Sequence, residues 1–142
     1  MMAPRDNLES LQRWYEAYEG KGLQPAEDLI DEVFDPEVEF SPWLAREVER
    51  RTYHGRDGVR AFFSELGEML GDVRYAPPQY RPLNENLIVV LTRLEGAGRV
   101  SALPVGQDLG LVYEFEAGLV TRLIAFGSHE DALRAAEERQ HA

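Results

Sequence analysis

The stretch Leu109–Phe126, LGLVYEFEAGLVTRLIAF, decides the fold, because it contains two strand patterns with a turn signal between them. Apolar and polar residues alternate over much of both halves, which is the period of a strand with one buried face. Ala117-Gly118, at the centre, is typical of a tight hairpin turn. We therefore predict that Leu109–Glu116 and Leu119–Phe126 form an antiparallel hairpin.

The segments before this hairpin carry further strand signals. Leu87–Glu95 is the strongest strand pattern in the chain, and Val100–Val105 follows it after a glycine-containing turn. Val73–Leu83 is also predicted to be a strand, interrupted by Pro77-Pro78, which suits an edge or a bulge. A short strand is predicted earlier, at Glu37–Phe40. Because short turns join the later segments, those strands should pair antiparallel.

Helical patterns lie on both sides of this meander. The first helix places Leu8 and Leu11 on one face, and Val59–Leu70 is strongly amphipathic. The last helix follows Ser128, whose side chain should cap it. Helices and strands that are segregated in this way indicate the α+β class. Because no linker composition divides the chain, we predict one domain over residues 1–142.

Charge and composition exclude several classes of function. The 142 residues include 15 Lys+Arg and 26 Asp+Glu, and the net charge of −11 argues against nucleic-acid and anionic-membrane partners. The absence of cysteine excludes disulfides and thiolate chemistry. The three histidines, His54, His129 and His141, are scattered, so we expect neither a metal site nor a cofactor. Because no signal peptide or membrane span is evident, we expect a cytoplasmic protein.

Four motifs occur in a telling order: FDPEVEF at 34–40, YHGRDGVRAFF at 53–63, VYEFEAGLVTR at 112–122 and DAL at 131–133. In this order and spacing they resemble the nuclear-transport-factor-2-like superfamily and, within it, the SnoaL-like group. The resemblance runs from Leu8 to Ala136. It implies a cone, in which a curved, mostly antiparallel sheet wraps around a long helix and leaves a pocket at the open end. It also implies a homodimer formed through the outer face of the sheet.

The resemblance also suggests residues for catalysis. Arg93-Leu94-Glu95 is similar to the Arg-x-Asp pattern of limonene-epoxide hydrolases, and the spacing places Arg93 and Glu95 on one sheet face. The last strand carries no second acid, so that catalytic set is incomplete. By comparison with the steroid isomerases, Phe40 stands where a carboxylate base is expected. His54 could act as a general acid or base, or could only form a hydrogen bond within its loop.

Aromatic side chains are the candidates for contact with an apolar ligand, because small-molecule pockets are lined mainly by apolar and aromatic groups. The residues predicted to line the pocket are Trp14, Tyr18, Trp43, Phe62, Tyr113 and Phe126. Most other aromatic residues are expected to belong to the core.

The sequence is compatible with three functions. The first is a SnoaL-like pocket protein that binds a small apolar molecule without established catalysis. The second is a cofactor-independent isomerase, cyclase or epoxide hydrolase, with proton transfer by Arg93, Glu95 and His54. The third is a dimeric association module with a vestigial pocket. A pocket that contains both Arg93 and Glu95 would favour the enzyme, whereas a position on the outer sheet face would remove this pair from catalysis.

Overall fold

The computed structural model describes residues 4–17, 27–42, 52–70, 74–97 and 104–141. The helices in these ranges are α1 (Pro4–Glu16), α2 (Glu27–Val33), α3 (Gly55–Leu70) and α4 (His129–Gln140). The strands are β1 (Phe34–Ser41), β2 (Tyr53–His54), β3 (Arg74–Tyr75), β4 (Gln79–Asn84), β5 (Leu87–Ala97), β6 (Pro104–Glu116) and β7 (Leu119–Phe126). None of the helices in the described ranges is long and apolar enough to cross a bilayer.

These strands form one curved sheet that does not close into a barrel. The order across the sheet is β2-β1-β7-β6-β5-β3, and β4 also pairs with β5. Only the β1–β7 pair among the described strands is parallel, and the other pairs are antiparallel. The α+β class and the curved, mostly antiparallel sheet are therefore confirmed.

The predicted hairpin is formed by β6 and β7, with Glu116 opposite Leu119 and Gly110 opposite Phe126. Both turn residues have positive φ, 51° at Ala117 and 85° at Gly118. Positive φ at both central positions is what the commonest two-residue hairpin turn requires, because its twist matches that of the strands. The turn signal in the sequence is therefore confirmed.

The meander differs from the prediction in one place. β6 is continuous from Pro104 to Glu116, whereas the sequence pattern predicts a break at Gly106–Asp108. The break is absent because β5 is long enough to pair with the whole of β6, as far as Ala97 opposite Pro104. The interruption predicted at Pro77-Pro78 does occur, since it separates β3 from β4.

The sheet is packed on both faces. One face, here called the inner face, forms the main core with α1, α2 and α3, and includes Ile88 and Tyr113. The opposite face, here called the outer face, packs Val89 and Val112 against α4. Successive side chains of a strand point to opposite faces, so these contacts assign most strand positions to one face.

α4 lies very close to the sheet at Gly110. A Cβ atom added there would lie 2.5 Å from the Cβ of Ala132, so no larger residue fits without movement. The helix begins as the sequence predicts, because the Ser128 side chain accepts a hydrogen bond from the backbone N–H of Asp131 at 3.1 Å. This cap fixes the start of α4 where the chain leaves β7.

Candidate functional site

Aromatic rings form a layer on the inner face, between the sheet and helices α1 and α3. The Trp14 ring packs edge to face on Phe34, with centroids 5.0 Å apart, and on Phe63, at 5.9 Å. Phe40 of β1 packs in the same manner on Phe62 of α3, at 4.8 Å. Edge contacts of this kind stabilise a core by about 0.5–1.5 kcal/mol each beyond the burial of area. The layer therefore joins the first helix, the long helix and the sheet.

A second group of rings, here called the tyrosine cluster, comprises Tyr15, Tyr75, Tyr80 and Tyr113, from α1, β3, β4 and β6. The Tyr15 ring lies 5.4 Å from that of Tyr75, 6.2 Å from that of Tyr80 and 6.5 Å from that of Tyr113. The hydroxyl groups of Tyr15 and Tyr113 are hydrogen-bonded at 2.6 Å, and either oxygen could be the donor. Polar groups are thus concentrated at one point in an otherwise apolar surface.

Burial keeps the phenols of Tyr75, Tyr80 and Tyr113 protonated. Burial, with a smaller effect of the Glu16 charge, raises the pKa of Tyr80 to about 12. Burial also raises the pKa values of Tyr75 and Tyr113 far above the usual phenol value, and the hydrogen bond with Tyr15 offsets only part of the effect at Tyr113. A neutral phenol can donate as well as accept a hydrogen bond. The cluster therefore presents neutral donors rather than charges.

The structure brings three of the six predicted ligand-binding residues to the inner face. Trp14 and Tyr113 are buried in the core there, and the half-buried Phe62 packs against it. Phe126 instead lies on the outer face, in the cluster that packs against α4. The reason is strand alternation, because its neighbour Ala125 occupies the inner face. Tyr18 and Trp43 lie outside the described residues.

Arg93 and Glu95 share a sheet face, as their spacing predicts, but that face is the outer one. Leu94, between them, packs with the inner core, so both charged side chains point away from the tyrosine cluster. Arg93 Nη1 lies 2.7 Å from Asp108 Oδ1 on the neighbouring strand, and both side chains are about half exposed. The cation thus pairs across strands with Asp108, which the sequence pattern does not single out, rather than with Glu95.

His54 is exposed on β2, where it lies opposite Glu39 of β1. Glu39 in turn lies opposite Arg122 of β7, whose Nη2 is 3.0 Å from Glu39 Oε2. Arg122 lies opposite Glu114 of β6. These four residues form a polar row across the outer face, here called the charge row, in which Glu39, Arg122 and Glu114 alternate in sign. His54 therefore belongs to an exposed polar surface on the other side of the sheet from Tyr113.

A family model described as a SnoaL-like domain matches residues 11–123, a range that contains the whole tyrosine cluster. This chain belongs to the SnoaL-like family. A search of curated proteins found no match.

Solved structures of other proteins share the fold of this SnoaL-like domain. A nuclear-transport-factor-2-like protein of unknown function from Burkholderia pseudomallei is 20% identical, with a TM-score of 0.73 and coverage of 94% of this chain and 97% of that one. A candidate SnoaL-like polyketide cyclase from Jannaschia sp. CCS1 is 19% identical, with a TM-score of 0.73 and coverage of 96% of each chain. TerC, co-crystallised with polyporic acid, is 18% identical, with a TM-score of 0.70 and coverage of 93% and 98%. At these identities the similarity shows the fold alone.

The hydroxyl pair on the inner face of this SnoaL-like domain consists of Tyr113, which the sequence predicts as a ligand-binding residue, and Tyr15, which it does not. Tyr15 has the spacing of a core residue of α1, and Tyr113 is 98 positions away in the sequence. Tyr75 and Tyr80 are on short strands beside Pro77-Pro78, where alternation is hard to assign. The only hint of them in the sequence is its six tyrosines, which are possible proton donors in a chain that has no cysteine. Among the described residues, no group of three or more potential metal ligands occurs.

Proposed function

We propose that this SnoaL-like domain binds a small, mainly apolar molecule on the inner face, and that the Tyr113 hydroxyl donates a hydrogen bond to an oxygen atom of that molecule. The observation that carries the proposal is the buried contact of 2.6 Å between the hydroxyls of Tyr15 and Tyr113. A pair of phenols has two protons, and the contact between them uses one. If Tyr15 is the donor, the proton of Tyr113 is available to an acceptor.

The surroundings of Tyr113 favour such an acceptor. In the described part of the chain, its hydroxyl has one hydrogen-bond partner, Tyr15. A donor surrounded by aromatic rings forms a stronger hydrogen bond than the same group in water, since competing water and dielectric screening are reduced. Because the pKa of Tyr113 is raised by burial, the donor keeps its proton across the physiological pH range.

The apolar part of the ligand would lie against the half-buried rings at the margin of the inner core. At one end this margin consists of Tyr75 and Tyr80 of the tyrosine cluster, together with the Leu94 side chain. Near α3 it consists of the rings of Tyr53 and Phe62. Partly exposed aromatic rings around a few convergent polar groups are the usual composition of a small-molecule site. We therefore expect a ligand with a flat or aliphatic body and one carbonyl or hydroxyl oxygen.

Catalysis is the second candidate function, and the same hydroxyl pair favours it. A neutral, buried donor can stabilise the negative charge that develops on an oxygen during isomerisation, cyclisation or epoxide opening. One relative of similar fold is described as a candidate polyketide cyclase, and another was co-crystallised with polyporic acid. Binding is placed first because Tyr113 contacts no carboxylate or imidazole among the described residues that could act as the base.

Fluorescence titration with 2-naphthol, an apolar phenol, and with naphthalene, which lacks the oxygen, tests the binding proposal. The wild-type protein should prefer 2-naphthol, and Tyr113→Phe should weaken its binding about five- to tenfold, as expected for one hydrogen bond. Tyr80→Phe, which removes a hydroxyl outside the Tyr15–Tyr113 pair, is the matched control. Equal affinity of wild type and Tyr113→Phe for 2-naphthol would refute the role of this hydroxyl. Native mass spectrometry of protein from its own host would identify a retained ligand.

We also propose that two copies associate through the outer face of the sheet. Within the charge row, the exposed Glu39 and Arg122 carry opposite charges, so Glu39 of one copy can lie against Arg122 of a second copy turned by a two-fold axis. Sedimentation equilibrium should give a dimer that Arg122→Glu weakens and that high salt also weakens. A monomer at all concentrations would refute this proposal and leave the ligand site unaffected.

A further inference from the structure

The Tyr80 hydroxyl is a polar group of the inner face that the proposed contact with Tyr113 does not use. The Tyr80 ring packs against the inner core, and its centroid lies 6.2 Å from that of Tyr15. Its hydroxyl forms no hydrogen bond with any of the described residues. In the described part of the chain, the buried polar side-chain atoms without a partner belong to Asn7 and Glu114, so the Tyr80 oxygen is open to solvent. A ligand can therefore reach this hydroxyl.

The backbone around Tyr80 is fixed by hydrogen bonds to β5. Tyr80 itself is paired within the ladder of β4 and β5. Four residues earlier, the backbone oxygen of Ala76 accepts a hydrogen bond from the Thr92 hydroxyl at 2.7 Å. The backbone N–H of Ala76 donates to the backbone oxygen of Arg93 at 2.8 Å. The Tyr80 ring is thus positioned before a ligand binds, which lowers the entropic cost of a hydrogen bond to it.

Tyr80 of β4 and Tyr113 of β6 lie on the same face of the sheet, with β5 between their strands. Tyr80 is opposite Val90 of β5, and Val90 is opposite Leu111 of β6. Two strand spacings of about 4.8 Å and two residues of about 3.4 Å along β6 place the two backbones about 12 Å apart. Both rings lie within 6.5 Å of the Tyr15 ring. The two hydroxyls therefore converge on one region but are suited to two different oxygen atoms of a ligand.

The exposed Glu16 carboxylate, next to Tyr15 on α1, limits the charge of a group that binds beside Tyr80. Its negative charge acts together with burial to raise the pKa of Tyr80 to about 12, so the phenol stays neutral and can donate. The same charge repels a carboxylate or a phosphate placed beside the hydroxyl. The net charge of −11 on the chain acts in the same direction. A neutral hydroxyl or carbonyl oxygen is therefore favoured.

We propose that Tyr80 is a second, specificity-determining donor of the inner-face site, and that the ligand is a flat, neutral molecule with an oxygen atom at each end. The inner oxygen accepts a hydrogen bond from Tyr113, and the outer oxygen accepts one from Tyr80. The apolar body between them lies against Tyr75 and Leu94, at the margin of the inner core. The second oxygen adds to the ligand expected from Tyr113, so this role of Tyr80 rests on the proposed function.

Fluorescence titration near neutral pH with naphthols of different substitution tests the second oxygen. The 2,6- and 2,7-dihydroxynaphthalenes carry oxygens on different rings, 2,3-dihydroxynaphthalene carries both on one ring, and 2-naphthol carries one. At least one of the first two should bind about three- to tenfold more tightly than 2-naphthol, the effect expected for one more hydrogen bond. The 2,3-isomer should lack this gain. No gain with either of the first two, or an equal gain with the 2,3-isomer, would overturn the proposal.

Two phenol deletions assign the gain to one hydroxyl. Tyr80→Phe should abolish it and leave 2-naphthol binding at the wild-type level. Tyr53→Phe is the matched control, because it removes a hydroxyl elsewhere on the margin, where it is bonded to Glu65 at 2.9 Å; it should leave the gain intact. A gain that persists in Tyr80→Phe, or equal losses in the two variants, would overturn the role of Tyr80. That outcome differs from failure of the proposed function, which would appear as 2-naphthol binding that Tyr113→Phe does not change.

6-Hydroxy-2-naphthoate, which has a carboxylate at the outer end, tests the selection for a neutral group. It should bind more weakly than 2-naphthol, and Glu16→Gln should reduce the difference. Glu9→Gln is the control, since it removes the same charge from an exposed position on α1 that is seven residues away. Binding of the naphthoate as tight as that of the favoured diol, or equal effects of the two glutamine variants, would overturn the selection for a neutral oxygen.

Discussion

Raising the pH above about 10 should destabilise this protein, because the folded chain keeps Tyr75, Tyr80 and Tyr113 protonated. Tyrosine in an unfolded chain ionises near pH 10, whereas burial raises the pKa of Tyr113 in the folded chain. The unfolded state therefore releases its proton first. The contribution of Tyr113 to stability is fully present below the unfolded pKa and is lost as the pH rises towards the folded pKa. The chain contains a single lysine, Lys21, and no cysteine, so few other side chains have an ordinary pKa near that of tyrosine.

The magnitude follows from burial and linkage. Tyr113 is 1% exposed, so solvent screens its protonation equilibrium very little. Between the unfolded and folded pKa values, one such tyrosine lowers the free energy of unfolding by about 1.4 kcal/mol per pH unit, or roughly 2.7 kcal/mol over two units. Tyr75 and Tyr80 act in the same direction but less strongly, because their half-buried side chains are partly screened by water. Losses of this size are a large share of the ~5–15 kcal/mol that a domain has.

Urea unfolding followed by circular dichroism, from about pH 8 to about pH 11.5, measures this effect. Tyr113→Phe removes one titrating group, so the slope of stability against pH above about 10 should decrease by about 1.4 kcal/mol per unit. Phe63→Leu is the control, because it weakens the core without removing an ionisable group and should lower stability equally at every pH. The tyrosinate absorbance of Tyr113, measured as the difference between wild type and Tyr113→Phe, should rise only together with unfolding. The same alkaline slope in Tyr113→Phe and wild type would refute the reasoning.

Three further predictions concern other parts of the fold. Gly110→Ala should lower the free energy of unfolding in urea by about 1–3 kcal/mol, because the added methyl group clashes with Ala132. Adding Ala132→Gly to the same chain should recover part of that loss, and purely additive effects of the two substitutions would contradict the contact. Arg93→Ala should change stability by less than about 1 kcal/mol, since its pair with Asp108 is half exposed, and a tenfold loss of naphthol affinity would contradict its place on the outer face. Ser128→Ala should cost about 1 kcal/mol in thermal unfolding, and an unchanged melting temperature would argue against the cap.

The hairpin and the cap of α4 could be predicted because each depends on a few adjacent residues. Ala117-Gly118 supplies two positive φ angles, and Ser128 lies three residues before Asp131, whose backbone N–H donates to the serine side chain. The contact between Tyr15 and Tyr113 depends instead on residues 98 positions apart. No local period relates a helix in the first half of the chain to a strand in the second half. The hydroxyl pair of Tyr15 and Tyr113 therefore could not be predicted from local sequence patterns.

The face of Arg93 shows a different limit. Alternation predicts that Arg93 and Glu95 share a face of the sheet. It does not show which face this is, because the first half of β5 is apolar on both faces. The cause is α4, which covers the outer face beside that half of the strand. The His129 ring, at the start of α4, forms a hydrogen bond of 2.7 Å with the backbone oxygen of Thr92. The part of β5 that α4 covers therefore ends at Thr92. Beyond Thr92 the outer face carries charged side chains.

The separation of the two faces also bears on the charge of the ligand. The inner core consists of aromatic and aliphatic side chains, whereas Arg93, Glu39 and Arg122 are half exposed on the outer face and already have partners there. A charged ligand on the inner face would lose its hydration without gaining an opposite charge from the described core, at a cost of several kcal/mol. A neutral molecule with one oxygen loses much less, and the protonated phenols of the tyrosine cluster can replace that loss. The same burial that raises the tyrosine pKa values therefore selects for a neutral ligand, and naphthol should bind more tightly than naphtholate at every pH at which the protein is folded.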